Sequence, residues 1–108
     1  MMYPATRVSI TAEKLIQEDI TRIIEAEGAF GYSVFEGDGK GQHEMHGTHH
    51  ARIVDAFAIV KIEVVVLDRK IAEAIAEKVA HEFFEKYAGI VYLDTVEILR
   101  PTKFGGDD

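Results

Sequence analysis

A two-layer α+β sandwich is the fold class this sequence predicts, and three observations predict it. Apolar alternation marks four strand-like runs, helical spacing of apolar residues appears twice, and the order is strand-helix-strand, long loop, strand-helix-strand. Two such split β-α-β halves describe a ferredoxin-like βαββαβ sandwich, one antiparallel sheet with both helices on one face. A chain of 108 residues fits a single domain spanning 1–108.

Val8 and Ile10 alternate with Arg7, Ser9 and Thr11, which predicts the first strand. Thr11 is expected to cap the helix that follows, with Glu13 in its first turn complementing the dipole. Ile16, Ile20, Ile23, Ile24 and Glu27 share a helical face, apolar until the last, and Gly28 is expected as the glycine just past the helix end. Gly31 to Phe35 read as the second strand. From Ala56 to Leu67 a third, long strand has Ala58, Val60, Ile62, Val64 and Val66 on one face. Its other face, with Phe57, Ile59, Val65 and Leu67 beside Lys61 and Glu63, is too apolar for open water, so another subunit is expected to cover it. Asp68 should cap the second helix, where Ile71, Ala72, Ile75, Ala76, Val79, Phe83 and Tyr87 form a buried stripe that Gly89 closes. Ile90 to Arg100 form the last strand, stopped by Pro101, and the tail over about 101–108 is expected to be mobile unless docked.

The stretch 36–56 has neither a helical nor a strand period and holds much of the glycine and four of the five histidines. A structureless connection of roughly 20 residues is unusual in a small domain and is commonly functional. Within it, Gly37-Asp38-Gly39-Lys40-Gly41 could turn successive backbone N–H groups towards one small anion, with Lys40 adding charge. The plain alternative is a flexible turn, because the Gly-Lys-Ser/Thr ending of a P-loop is missing. His43, His46, His49 and His50, with Glu44, offer nitrogen and oxygen donors to a transition metal. Metal sites are normally built on fixed, supported elements, so a solvated loop is the plain reading and no metal is expected.

Composition narrows the function. A net charge of -7 argues against a nucleic-acid partner, whose phosphates need many basic contacts. With no cysteine, disulfides and thiolate metal sites are ruled out. The N-terminus lacks a signal-peptide apolar core and no apolar run is long enough to cross a bilayer, so a soluble cytoplasmic protein is expected. Glu13, Glu18, Asp19 and Glu25 are read as solubilising charges on the outer face of the first helix, and His81 as a packed or surface histidine in the second. No nucleophile-histidine-carboxylate set and no paired-carboxylate signature is present, so no enzymatic activity is expected.

Gly31-Tyr32-Ser33-Val34, the Gly-Asp-Gly-Lys loop base, Val60-Lys61-Ile62-Glu63-Val64-Val65-Val66 and Gly89-Ile90-Val91-Tyr92 together resemble PII signalling proteins, in order and over nearly the whole chain. Tyr87-Ala88-Gly89-Ile90-Val91-Tyr92 and Phe30-Gly31-Tyr32-Ser33-Val34 are closer to the PII-like branch of SbtB-type and carboxysome-associated proteins. The resemblance implies a homotrimer with an adenine nucleotide in each intersubunit cleft. It also implies a long T-loop, here about 38–56, that changes shape with the effector and docks on a target. By position, Ser33 would lie near the adenine, Gly37, Gly39, Lys40 and neighbouring Gly41 near the phosphates, and Val65 and Gly89 on the cleft wall. Arg100 and Lys103 would add basic groups from the C-terminal end. Ile90 stands where mainstream PII proteins have lysine, which favours ADP or AMP over ATP, with cyclic AMP left open. Ile59 replaces the lysine used for 2-oxoglutarate, so that effector is not expected. The branch implies bicarbonate as a second ligand and a bicarbonate transporter or carboxysome-linked protein as target, with membrane association only through that partner. The alternative is a trimeric metal-binding protein of the cation-tolerance kind, resting on the histidine-rich loop.

Overall fold

The computed structural model describes residues 1–38 and 58–99. Four strands and two helices run β1 (Tyr3–Glu13), α1 (Gln17–Ala26), β2 (Tyr32–Asp38), β3 (Ala58–Val66), α2 (Arg69–Phe83) and β4 (Gly89–Ile98), with a 3-10 turn, Lys14–Ile16, leading into α1. The strands form one antiparallel sheet in the order β2-β3-β1-β4. This is the ferredoxin-like arrangement that the strand and helix periods predict.

The core follows directly from those periods. Val8, Ile10 and Ala12 of β1 and Val60, Ile62, Val64 and Val66 of β3 all point to one face. They meet Ile20 and Ile24 of α1, Ile16 of the 3-10 turn, and Ala72, Ile75 and Val79 of α2 in one buried cluster. The helix ends are chemically explained. Asp68 lies in extended backbone and its carboxylate accepts the Lys70 N–H at 2.8 Å, the expected cap. At the end of α1, Gly28 has φ 93°, a left-handed conformation that glycine adopts without a Cβ clash. That conformation lets the Gly28 N–H reach Glu25 O and the Ala29 N–H reach Ile24 O, the paired bonds of a Schellman motif.

Four local expectations are corrected. Thr11 does not cap α1: it lies inside β1, paired with Lys61 on one side and Ile90 on the other, because β1 is central and both neighbours extend its ladder. Glu13 is neither on an outer helix face nor in a helix turn, but ends β1 at 3% exposure. Gly89 does not close α2. That helix ends at Phe83, Lys86 and Tyr87 donate their N–H groups back to Phe83 O, and Gly89 opens β4 opposite Ala12. Tyr87 therefore lies beyond the helix, although it still packs on the core and meets Phe83 edge-on at 6.3 Å. Finally, β2 runs on through Gly37 and Asp38, which pair with Ile59 and Ala58, so Gly37 is strand rather than turn. The connection 39–57 and the segment 100–108 lie outside the described residues, as do the expectations placed on them.

Candidate functional site

The uncovered face of the sheet carries Ser33, Gly37, Val65 and Ile90 of the described site candidates, whereas Gly89 pairs with Ala12 in register with the helix-covered face. Strand alternation brings Arg7, Ser9 and Thr11 of β1 to this face, with Ser33, Phe35 and Gly37 of β2. β3 adds Ile59, Lys61, Glu63 and Val65, and β4 adds Ile90, Tyr92 and Asp94. Phe35, Ile90 and Tyr92 are 55%, 57% and 43% exposed, a large aromatic and aliphatic content for one surface.

Charges on this face are paired. Arg7 grips Asp94 with two bonds, Nε to Oδ1 at 3.1 Å and the terminal nitrogen to Oδ2 at 2.7 Å, across adjacent strands. The hydrogen bond from Arg7, reinforced by its charge, holds the Asp94 carboxyl below the usual carboxylate range. The same bond pushes the Arg7 guanidinium up. Lys61 lies 3.2 Å from Glu63, and that contact, with Tyr92 nearby, raises the lysine as well. Among the described residues, no buried side-chain nitrogen or oxygen lacks a hydrogen-bond partner.

Along the sheet the candidates separate into two groups. Ser33 is exposed on β2 opposite Glu63, Gly37 lies further along β2 opposite Ile59, and Val65 is half-buried on β3 opposite Arg7. Gly89 and Ile90 open β4 at the other edge of the sheet. Three interstrand steps of about 4.8 Å put roughly 14 Å between the two edges, so one chain does not bring the groups together. Gly39, Lys40, Gly41, Arg100 and Lys103 lie outside the described residues, as do His43, His46, His49 and His50. Among the described residues, no group of three or more histidine, cysteine or acidic side chains is placed to hold a metal ion.

Ser33 offers an exposed hydroxyl, and a Cβ added to Gly37 would meet nothing within 4 Å, which leaves its backbone open to a ligand. Gly89 is constrained instead: an added Cβ would fall 2.7 Å from a ring carbon of Phe84 and 2.9 Å from Thr11 O. Glycine is therefore demanded here by close packing of the α2-β4 turn against β1, a reason that helix-ending rules do not contain.

The family model described as P-II, nitrogen regulatory protein P-II, matches residues 5–103. The chain belongs to the PII family. Among solved structures, it is similar to CPII of Thiomonas intermedia K12 bound to ADP and bicarbonate, at 27% identity and a TM-score of 0.76 over 96% of this chain and 97% of that one. The same protein bound to ADP, AMP and acetate gives 25% identity and a TM-score of 0.77, covering 96% and 97%. A PII-like signaling protein from Thermus thermophilus gives 26% and 0.75, covering 95% and 97%. The α+β fold and family read from the strand segments are thus both found. The buried position of Glu13 has no distinct local signal, because a lone acidic residue ending an apolar strand is indistinguishable from a helix-start charge without tertiary contacts.

Proposed function

We propose that this protein is a non-enzymatic trimeric PII-like regulator that binds ADP or AMP in clefts between subunits, with bicarbonate as a second ligand. The observation that carries the reading is the split of the candidate residues between opposite edges of the sheet. A ligand contacting both groups needs β2 of one copy beside β4 of another. The exposed aromatic and aliphatic side chains on the intervening face provide the surface on which copies would associate.

The ligand follows from the likeness to CPII, which is bound to ADP and bicarbonate or to ADP, AMP and acetate. In this chain Ser33 would lie near the adenine and Gly37, Gly39, Lys40 and Gly41 near the phosphates. Val65, Gly89 and Ile90 would line the wall, and Arg100 and Lys103 would close the site. Ile90 is 57% exposed and brings no charge, so the site is matched to fewer phosphate charges than a triphosphate carries. Bicarbonate would share Lys40 and neighbouring N–H groups.

The output would be a shift among conformations of the long loop that follows β2, read by a bicarbonate transporter or a carboxysome-linked protein in the cytoplasm. Ligand can drive that shift only through different affinities for the loop's conformations. Among the described residues, no helix is long and apolar enough to cross a membrane, and any membrane association would run through the target.

Calorimetric titration of ADP, AMP, ATP and cyclic AMP, each with and without bicarbonate, tests the reading. Binding of ADP or AMP that tightens with bicarbonate, reciprocated by tighter bicarbonate binding with nucleotide, is expected. A folded trimer that binds none of the four nucleotides would sink it.

A further inference from the structure

Glu13 ends β1 at 3% exposure, and its Oε2 accepts the backbone N–H of Ala88 at 2.7 Å, a contact between residues 75 apart in sequence. A buried carboxyl group bonding a main-chain N–H is costly to disrupt, because both groups have left water and the exchange is made inside the protein. Ala88 is itself 6% exposed, and the next residue, Gly89, opens β4 with no room for a Cβ against Phe84 and Thr11 O. The α2-β4 turn is therefore tied down at one residue and wedged at the next.

The position of that tie connects it to the proposed ligand cleft. Across the sheet, Gly37 pairs with Ile59 and Ile59 pairs with Glu13, whose side chain then takes Ala88. One row thus links the end of the hairpin that carries the long loop to the turn that begins β4. Ile90 supplies no cation to this wall, so the wall can act on a ligand only through the placement of its backbone and its shape. A side chain that fixes that placement has more influence on affinity here than it would beside a lysine.

We infer that Glu13 is a positioning residue of the nucleotide site, holding the Ala88–Gly89 main chain in the shape that receives the ligand. The ligand half of this inference rests on the function proposed above; the anchoring half does not.

The test uses the full chain and three variants, read by ADP calorimetry and by hydrogen exchange at the Ala88 amide. Glu13→Ala is expected to weaken ADP binding about tenfold or more and to expose the Ala88 amide to exchange. Glu13→Gln keeps a carbonyl acceptor at the same reach, so it should restore Ala88 protection and hold ADP affinity within about threefold of wild type. Should Glu13→Ala fail to fold, Glu13→Asp, which withdraws the carboxyl by one methylene, is expected to show the same two losses. Ala88 protection unchanged in the alanine or aspartate variant overturns the anchor. An exposed Ala88 amide with ADP affinity unchanged overturns the link to the ligand. A wild-type protein that binds neither ADP nor AMP overturns the proposed function and that link together, while Ala88 exchange still decides the anchor.

Discussion

The two faces of the sheet are made by the same strands and solve different problems. On the helix-covered side, Val8, Ile10, Val60, Ile62, Val64 and Val66 are aliphatic, almost wholly buried and packed within one chain. On the other side, Arg7 with Asp94 and Lys61 with Glu63 form paired charges among exposed aromatic and aliphatic groups such as Tyr92. The first face requires only shape and apolarity, which dispersion and water exclusion reward without direction. The second retains directional groups, as expected of a surface whose partner must arrive in one register. The fold rests on one face, and the proposed assembly uses the other.

The largest effect should come from breaking the helix-covered face. Ile62 is fully buried, and Ile62→Ala is expected to lower stability by about 3 kcal/mol, read by urea unfolding at fixed protein concentration. A loss below about 1 kcal/mol would mean that this face is less tightly packed than its burial indicates. Gly89→Ala should follow, at roughly 1–3 kcal/mol, because the new methyl must displace the Phe84 ring or the Thr11 backbone. The same variant should weaken ADP binding, whereas Ile62→Ala should leave the affinity of the folded fraction nearly unchanged.

On the open face the expected loss is of assembly rather than of fold. Tyr92→Asp replaces an aromatic ring with an added charge in the middle of the proposed subunit contact while removing nothing from the buried core. It should shift the proposed trimer towards monomer by about tenfold or more in concentration, with protomer secondary structure retained. Light scattering after size-exclusion chromatography measures the first and circular dichroism the second. An intact trimer at low micromolar concentration would place the subunit contact elsewhere.

Acid should act on this face too. The Arg7 hydrogen bond depresses the Asp94 carboxyl below its ordinary value of 3.8. Its contribution is therefore present above the unfolded-state value and is lost as pH falls through the lower folded-state value. Asp94→Asn should be less stable than wild type at pH 7, with the difference narrowing as pH falls below 3.8 and through the lower folded-state value. A difference independent of pH between 7 and 2 would show that the asparagine acts through packing and not through the ion pair.

These contrasts also explain what could be read from sequence. Alternation at Val60, Ile62, Val64 and Val66 and helical spacing at Ala72, Ile75 and Val79 identify the core, because burial on one face imposes a period on neighbouring residues. The open face was legible only as an excess of apolar side chains around Lys61 and Glu63. Its Arg7–Asp94 pair joins residues 87 apart, set by strand order and register, which no local period records. Glu13 and Gly89 were misplaced for a related reason. Local rules assign an acidic residue after a strand to a helix start and a glycine after a helix to its end. Here a contact between distant segments governs both positions. The glycine-rich loop and the basic C-terminal residues were candidates by resemblance, and they remain so in the proposed site.

The smallest effect provides the closest control on the comparison between faces. Arg69 and Glu73 form an i,i+4 pair on α2 at 3.1 Å, with side chains 55% and 51% exposed. Arg7 and Asp94 are 38% and 42% exposed within one chain, so in an isolated protomer both pairs would be screened by water. A double-mutant cycle on Arg69 and Glu73 should give a coupling of about 0.3–0.5 kcal/mol that fades in high salt. If a second subunit covers the open face, the Arg7–Asp94 cycle should give the larger coupling and should resist salt, because its surroundings lose water on assembly. The two couplings should converge at protein concentrations low enough to dissociate the assembly. Equal couplings in the assembled protein would show that the Arg7–Asp94 pair remains in solvent, outside the proposed subunit contact.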